Sequence, residues 1–308
     1  VFAYTPTALG ALQRVVTDIS AELIGEKVAP QSIMKGFERR FRLLGMQGLV
    51  GMAVSGLDMA LWDALGKAAG EPVVRLLGGL PTPLQAYDSY GVIDPKADGR
   101  VLADSVAAGF TAIKIKIGDA DLGRDRQTVS AVREIMGPNV RLMVDFNQSL
   151  TVPDAVYRIR RLSEFDIHWF EEPVPAEDLA GHARIRSQTG APIQTGENWW
   201  FATGMTAAID KQASDHAMPD IMKIGGVTGW LSAMALEQAA SLPASSHILP
   251  EASAHVMAVT PTAHYVEWLD LAGAVLADAP PVERGTITAK GPGLGINWDE
   301  KAVAKFAV

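Results

Sequence analysis

The chain contains no cysteine. Disulfides, thiolate nucleophiles and cysteine-held zinc are therefore excluded. No run of about 18 uncharged apolar residues is present, so no membrane span is expected. The first residues, Val1-Phe2-Ala3-Tyr4-Thr5-Pro6, carry neither a basic region nor a cleavage signature. No signal peptide is expected from them, and the default location is cytoplasmic. Runs of Lys and Arg are also missing, and the net charge is −8. That balance disfavours nucleic acid and anionic membrane as partners. It also gives no long-range steering to an anionic substrate, so a carboxylate would have to be held by local cations.

Apolar residues, by contrast, are plentiful: 48% of 308 residues. That suffices for one large core, such as a barrel with a smaller attachment. The first part reads as helical, from Thr7 to Glu22 and again from Ser55 to Ala69, where Gly70 suits a C′ position and Pro72 blocks continuation. Gly78-Gly79 and prolines 81 and 83 mark a boundary. From about residue 84 short apolar runs alternate with amphipathic segments. The runs lie at 112–117, 141–146, 167–171, 192–197, 217–222, 244–248 and 265–269. One helical stripe is Ala155, Val156, Ile159 and Leu162; another is Val129, Val132 and Met136. Such alternation argues for a parallel sheet with helices. The glycine-dense stretch Gly291-Pro292-Gly293-Leu294-Gly295 lacks a strand–helix context and reads as a turn.

Ionisable residues fall at or near the ends of these runs. Lys116, Asp145, Glu171, Glu197, Asp220, His247 and Glu267 are spaced by 29, 26, 26, 23, 27 and 20 residues. Each interval is close to one β/α unit. A barrel gathers its strand ends on one face, which is where barrel enzymes carry their catalytic groups. Asp145, Glu171 and Glu197 would repel one another without a cation, and three hard oxygen ligands suit Mg²⁺ or Mn²⁺. Any one of them alone reads better as a loop carboxylate; the register of three favours metal. Glu172 should point away from Glu171 by strand alternation and is left out of that set. Lys114 and Lys116 share a strand face, here the interior, and two neighbouring buried ammonium groups should lower the pKa of one to give a base. His247 and Asp220 lie one unit apart, so the carboxylate can fix the imidazole tautomer. His168, His182, His216, His255 and His264 have no such partner and read as structural or surface groups. Glu267, if apolar surroundings keep it protonated, could donate to charge developing on a substrate carboxylate.

At these residues the sequence resembles the enolase superfamily, and within it the mandelate racemase/muconate lactonizing enzyme family, on the racemase side. The likeness spans nearly the whole chain. It is carried by Leu57-Asp58-Met59-Ala60, Gln85-Ala86-Tyr87-Asp88-Ser89, Lys114-Ile115-Lys116-Ile117-Gly118 and Val144-Asp145-Phe146-Asn147-Gln148. Further stretches are Glu171-Glu172-Pro173, Gly196-Glu197-Asn198-Trp199, Met222-Lys223-Ile224-Gly225-Gly226 and Ser245-Ser246-His247. That superfamily pairs a Lys or His base with magnesium-stabilised enediolate chemistry.

The resemblance implies an α/β protein: a (β/α)₇β TIM-type barrel with an α+β capping domain. Residues 1–83 would be the rest of the N-terminal cap, 84–285 the catalytic barrel, and 286–308 a segment returning to the cap. The cap's first strands and lid loop, which carry much of the substrate specificity, are expected to precede residue 1. Magnesium on Asp145, Glu171 and Glu197 follows, with Lys116 and His247 as opposed bases, Asp220 behind His247, and Glu267 as the stabilising acid. Lys114, Asn147 and Ser89 would touch the substrate. A homo-oligomer is implied, an octamer among the forms. Tyr90, Leu249, Pro250 and Trp268 depart from the racemase pattern beside matched positions, so chemistry transfers better than substrate. The expected activity is racemisation of a mandelate-like 2-hydroxycarboxylate. Its rivals are an acid-sugar dehydratase on the same scaffold, a cycloisomerase (disfavoured because a Lys would be expected in place of Asp220), and a non-catalytic metal-stabilised barrel.

Overall fold

A computed structural model of the chain describes residues 1–278 and 282–306. The final two positions of the expected 286–308 segment lie outside the described residues. Eight parallel strands close into a barrel: β1 (Leu84–Val92), β2 (Ala112–Lys116), β3 (Arg141–Asp145), β4 (Ile167–Glu171), β5 (Ile193–Thr195), β6 (His216–Ala217), β7 (Ala244–Ser246) and β8 (Ala263–Trp268). Each pairs with the next in sequence, and β1 pairs with both β8 and β2 to complete the ring. β1 is the strand that hydrophobic runs did not reveal. It carries Asp88, Ser89 and Tyr90 in its middle, and its apolar content is too low to stand out. A short antiparallel extension, β9 (Val282–Glu283) and β10 (Thr286–Ile287), joins the start of β1.

Before the barrel stand four helices, α1 (Pro6–Ala21), α2 (Pro30–Arg40), α3 (Leu49–Ala69) and α4 (Val73–Leu76). Seven helices then connect the strands: α5 (Pro95–Ala107), α6 (Leu122–Met136), α7 (Val152–Leu162), α8 (Leu179–Thr189), α9 (Phe201–Asp210), α10 (Gly226–Ala240) and α11 (Pro250–Met257). A final helix, α12 (Glu300–Phe306), closes the described chain. This is the expected (β/α)₇β order. Caps explain several starts. Thr5 accepts from the Ala8 N–H ahead of Pro6, Asp94 caps α5 ahead of Pro95, and Thr151 accepts from the Asp154 N–H.

Strand alternation divides the core into two layers. Ile113, Ile115, Leu142, Val144 and Phe170 pack outward against the helices. Tyr87, Ala112, Met143, Trp169 and Tyr265 fill the barrel interior. Helix α3 is 21 residues long with mean hydropathy 1.3, long and apolar enough by that test to cross a membrane. Here it is the core helix of the cap, packed against α1, α2 and α10. Its Asp58 accepts from the Thr228 hydroxyl at 2.5 Å and the Thr228 N–H at 2.9 Å. Its Asp63 accepts from the Leu294 N–H at 2.8 Å. The 291–295 stretch is the turn that the sequence suggested, and it also docks the C-terminal segment on α3 through that bond.

Candidate active site

The barrel brings the ionisable strand-end residues to one mouth. Lys114 projects inward from β2 and is almost wholly buried. Its ammonium lies 2.5 Å from Glu171 Oε1 and 2.8 Å from Glu267 Oε1. Burial acts to lower its pKa, but Glu171 and then Glu267 outweigh that and hold it well above the usual lysine value. The expectation of two buried lysines competing is therefore corrected. Of Lys114 and Lys116 only the first is buried, and it is a firm cation because two carboxylates clamp it. The Lys116 side chain is 40% exposed and reaches Asp145 Oδ2 at 3.9 Å.

The three carboxylates expected to hold metal come from the ends of β3, β4 and β5. Asp145 accepts from the backbone N–H and side-chain amide of Asn147, at 2.7 and 2.9 Å. Glu171 accepts from the Trp169 indole at 3.1 Å as well as from Lys114. Glu197 follows Gly196, whose φ is +143° and where an added Cβ would lie 2.7 Å from Met218 N. Only glycine lets β5 turn there, which delivers Glu197 to the mouth. Burial raises the pKa of Asp145, with Lys114 opposing and Glu197 adding repulsion. Burial also works against charge on Glu171, and Lys114 at 2.5 Å works for it. A divalent cation is the natural relief for such crowded acids, and all-oxygen donors suit Mg²⁺. The donor set therefore fits the ion. As the side chains stand, each acid is turned to its own donor, and among the described residues no three form a ready cage.

His247 lies just past β7 and bridges to Asp220 just past β6. Its Nδ1 is 2.7 Å from Asp220 Oδ2, and its Nε2 is 3.2 Å from Glu197 Oε2. Burial opposes its charge, yet Glu197, the bond to Asp220 and Glu267 together push its pKa up to about 10. Glu197 itself is lowered overall: burial raises it, but His247 and Lys114 prevail. Glu267 differs from expectation. Its surroundings are not simply apolar, because Lys114 and the Ile248 N–H, at 2.8 Å, both meet its carboxylate. Burial would raise it, but Lys114 and His247 bring its pKa to about 2, so it stands here as a carboxylate and not as a neutral acid. Ser89 is buried, in register with Lys114 across β1 and β2. Tyr90 points away from the mouth, its hydroxyl bonded to Asp88 at 2.9 Å.

Two family models match. The one described as "Mandelate racemase / muconate lactonizing enzyme, N-terminal domain" covers residues 1–78, and "Enolase C-terminal domain-like" covers residues 99–302. The chain belongs to the mandelate racemase/muconate lactonizing enzyme family of the enolase superfamily. A crystal structure of an enolase from Bradyrhizobium, complexed with magnesium and mandelic acid, is 56% identical with a TM-score of 0.97, covering 99% of this chain and 85% of that one. A 3,6-anhydro-α-L-galactonate cycloisomerase of Streptomyces coelicolor is 36% identical over 275 residues, 87% of this chain and 76% of the relative. An L-talarate/galactarate dehydratase of Salmonella typhimurium is 31% identical over 279 residues, 87% of this chain and 70% of the relative. Among these relatives of the enolase superfamily, cycloisomerase and dehydratase chemistry is therefore well represented.

Three groups at the mouth are not apparent from strand-end spacing in this enolase-superfamily chain: Glu172, Asn198 and Lys223. Glu172 follows the last residue of β4 with φ +33°, so alternation no longer governs it, and its side chain is buried beside the other acids. Burial, then Glu197, pushes its pKa to about 8. The Asn198 amide donates to Glu172 Oε1 and Oε2 at 3.1 and 2.9 Å and to Glu197 Oε1 at 3.2 Å. Lys223 donates to Asn198 Oδ1 at 2.6 Å. All three lie in motifs that carry the family likeness; only the folded loops reveal their contacts.

Proposed function

We propose that this protein removes the α-proton of a 2-hydroxycarboxylate with Mg²⁺ or Mn²⁺ held by Asp145, Glu171 and Glu197, and that it racemises a mandelate-like acid. The observation that carries this reading is where the two bases stand. Asp145 and Glu197 are the outer members of the acid series. Lys116 lies 3.9 Å from the first and His247 lies 3.2 Å from the last. A substrate carboxylate held at the series would thus have a proton-transfer group on each side of its α-carbon.

When bound, the cation would act as a Lewis acid toward the substrate carboxylate. The chain's own residues supply the rest. Lys114, buried and firmly charged, stabilises negative charge developing on that carboxylate. Glu267 orients Lys114 and closes the same wall. Asp220 fixes the His247 ring so that Nε2 faces the mouth. His247, held by Asp220, and Lys116, 3.9 Å from Asp145, are the two proton-transfer groups. Asn147, turned onto Asp145, and Ser89, beside Lys114, stand where substrate oxygens would arrive. The resemblance also supports a homo-oligomer, which light scattering would measure.

A second reading is favoured by the curated relatives: elimination or ring-opening isomerisation of a sugar acid, which begins with the same proton abstraction. In sequence Ile248 and Leu249 follow His247 and Trp268 follows Glu267, an apolar neighbourhood that suits an aromatic substituent better than a polyol. The test is incubation of the protein with each mandelate enantiomer and with aldonic and aldaric acids in D₂O. Deuterium at the mandelate α-carbon with loss of optical rotation supports racemisation. Formation of a 2-keto-3-deoxy acid, with no mandelate exchange, would replace it by the dehydratase reading.

A further inference from the structure

The loop after β6 does two things at once. Asp220, at its start, binds His247 Nδ1, and His247 Nε2 reaches Glu197 Oε2 at 3.2 Å. Three residues on, Lys223 donates to Asn198 Oδ1 at 2.6 Å, and the same Asn198 amide donates to Glu197 Oε1 at 3.2 Å. Both oxygens of Glu197 are thus braced from one loop, along two separate paths. The loop is tight: Lys223 N–H donates to Asp220 C=O at 2.9 Å, and Met222 N–H to Asp220 Oδ1 at 2.6 Å.

Lys223 is well placed to govern the second path. It is buried, only 6% exposed, and among the described residues its ammonium has no carboxylate within ion-pair distance. Its contacts are the Asn198 carbonyl and the face of the Tyr4 ring, 5.0 Å from the ring centre. An asparagine amide can sit either way round, and its neighbours decide. With Lys223 on the oxygen, the NH₂ must face Glu172 and Glu197. Turned over, the amide oxygen would face two carboxylates and its NH₂ an ammonium. A buried cation with no acid of its own thereby acts on two acids through one amide.

We infer that Lys223 is a positioning residue. It locks Asn198 so that Glu197 presents itself to the metal, and it links that ligand to the cap residue Tyr4. The inference rests on Glu197 being a metal ligand, as proposed above. Groups that orient a metal ligand from behind typically govern metal affinity about 10- to 100-fold. Lys223→Met, which keeps the apolar stem, should therefore weaken Mg²⁺ binding by about tenfold or more. Lys223→Arg, which keeps a donor and the charge, should restore most of it.

The experiment is calorimetric titration of the metal-free protein with Mg²⁺, repeated with Mn²⁺ by electron paramagnetic resonance, on wild type, Lys223→Met, Lys223→Arg and Asn198→Ser. Circular dichroism and melting temperature are read in parallel. Weakened binding in Lys223→Met and in Asn198→Ser, with rescue by Lys223→Arg and unchanged melting, supports the relay. Mg²⁺ affinity within twofold of wild type in folded Lys223→Met overturns it, as does equal weakening by Lys223→Arg. If Lys223→Met does not fold, Asn198→Ser decides alone: unchanged affinity overturns the relay. Wild type that binds Mg²⁺ yet exchanges no α-proton would remove the functional reading and leave the relay standing.

Discussion

At the scale of single residues, the site is a set of acids each held by a specific donor. Glu197→Gln should abolish activity and weaken Mg²⁺ binding while the far-ultraviolet circular dichroism stays unchanged. Full activity after exhaustive chelation would remove the metal assignment altogether. Glu267→Gln should lower kcat far more than it raises KM, because Glu267 aligns Lys114 with charge that appears only in the transition state. A raised KM with kcat intact would make it an ordinary binding group. The register of Asp145, Glu171 and Glu197 was readable because β/α spacing is a property of the chain. The charge state of Lys114 and Glu267 was not. Each depends on the other at 2.8 Å, and they lie on strands more than 150 positions apart in sequence. Glu172 escaped for a different reason: strand alternation predicts a side chain's direction only while φ stays extended, and here it is +33°.

Among the elements, helix α10 carries an uncompensated group. Glu237 is fully buried, neither carboxylate oxygen has a hydrogen-bond partner among the described residues, and burial pushes its pKa to about 8. A carboxyl raised in the folded state favours folding while protonated. Its contribution is complete below the ordinary glutamate pKa of 4.5 and is lost as pH rises through about 8. Glu237→Gln should thus melt higher than wild type at pH 9, by an amount equivalent to a few kcal/mol, and the gap should shrink at pH 5. A gap independent of pH would show that some other loss sets it. Elements with strong apolar periodicity were legible: the predicted stripe of α7 is the face it buries, with Ala155, Val156, Ile159 and Leu162 all inside. The strand β1 was not, since its inward Tyr87 and Ser89 and outward Asp88 give no hydrophobic alternation to detect. The short β6 was blurred too, because Asp220 and His247 lie beyond the strand ends and their backbones pair only through an isolated bridge.

For the whole molecule, the barrel has two chemically different ends. The mouth gathers acids and bases. The floor gathers His168, His216 and His264, whose ring centres lie 5.2–6.0 Å apart beside Arg141 and Tyr265. Burial lowers all three, His168 to about 4 and His264 to about 3, with mutual repulsion and Arg141 adding to both. Imidazoles held neutral in this way contribute stability that is present above pH 6.5 and is lost as pH falls through about 4 to 3. His264→Phe should therefore lose less of its neutral-pH stability at pH 4 than wild type does, as read by urea midpoints; equal losses would place the acid-sensitive groups elsewhere. At the mouth, Lys116 and His247 stand at opposite ends of the acid series. The α-proton signal of each mandelate enantiomer in D₂O, followed by NMR with His247→Asn, tests that two-base arrangement most directly. Racemisation should stop, one enantiomer, S by family resemblance, should still exchange through Lys116, and the other should not. Normal exchange of both enantiomers by the variant would contradict the two-base arrangement.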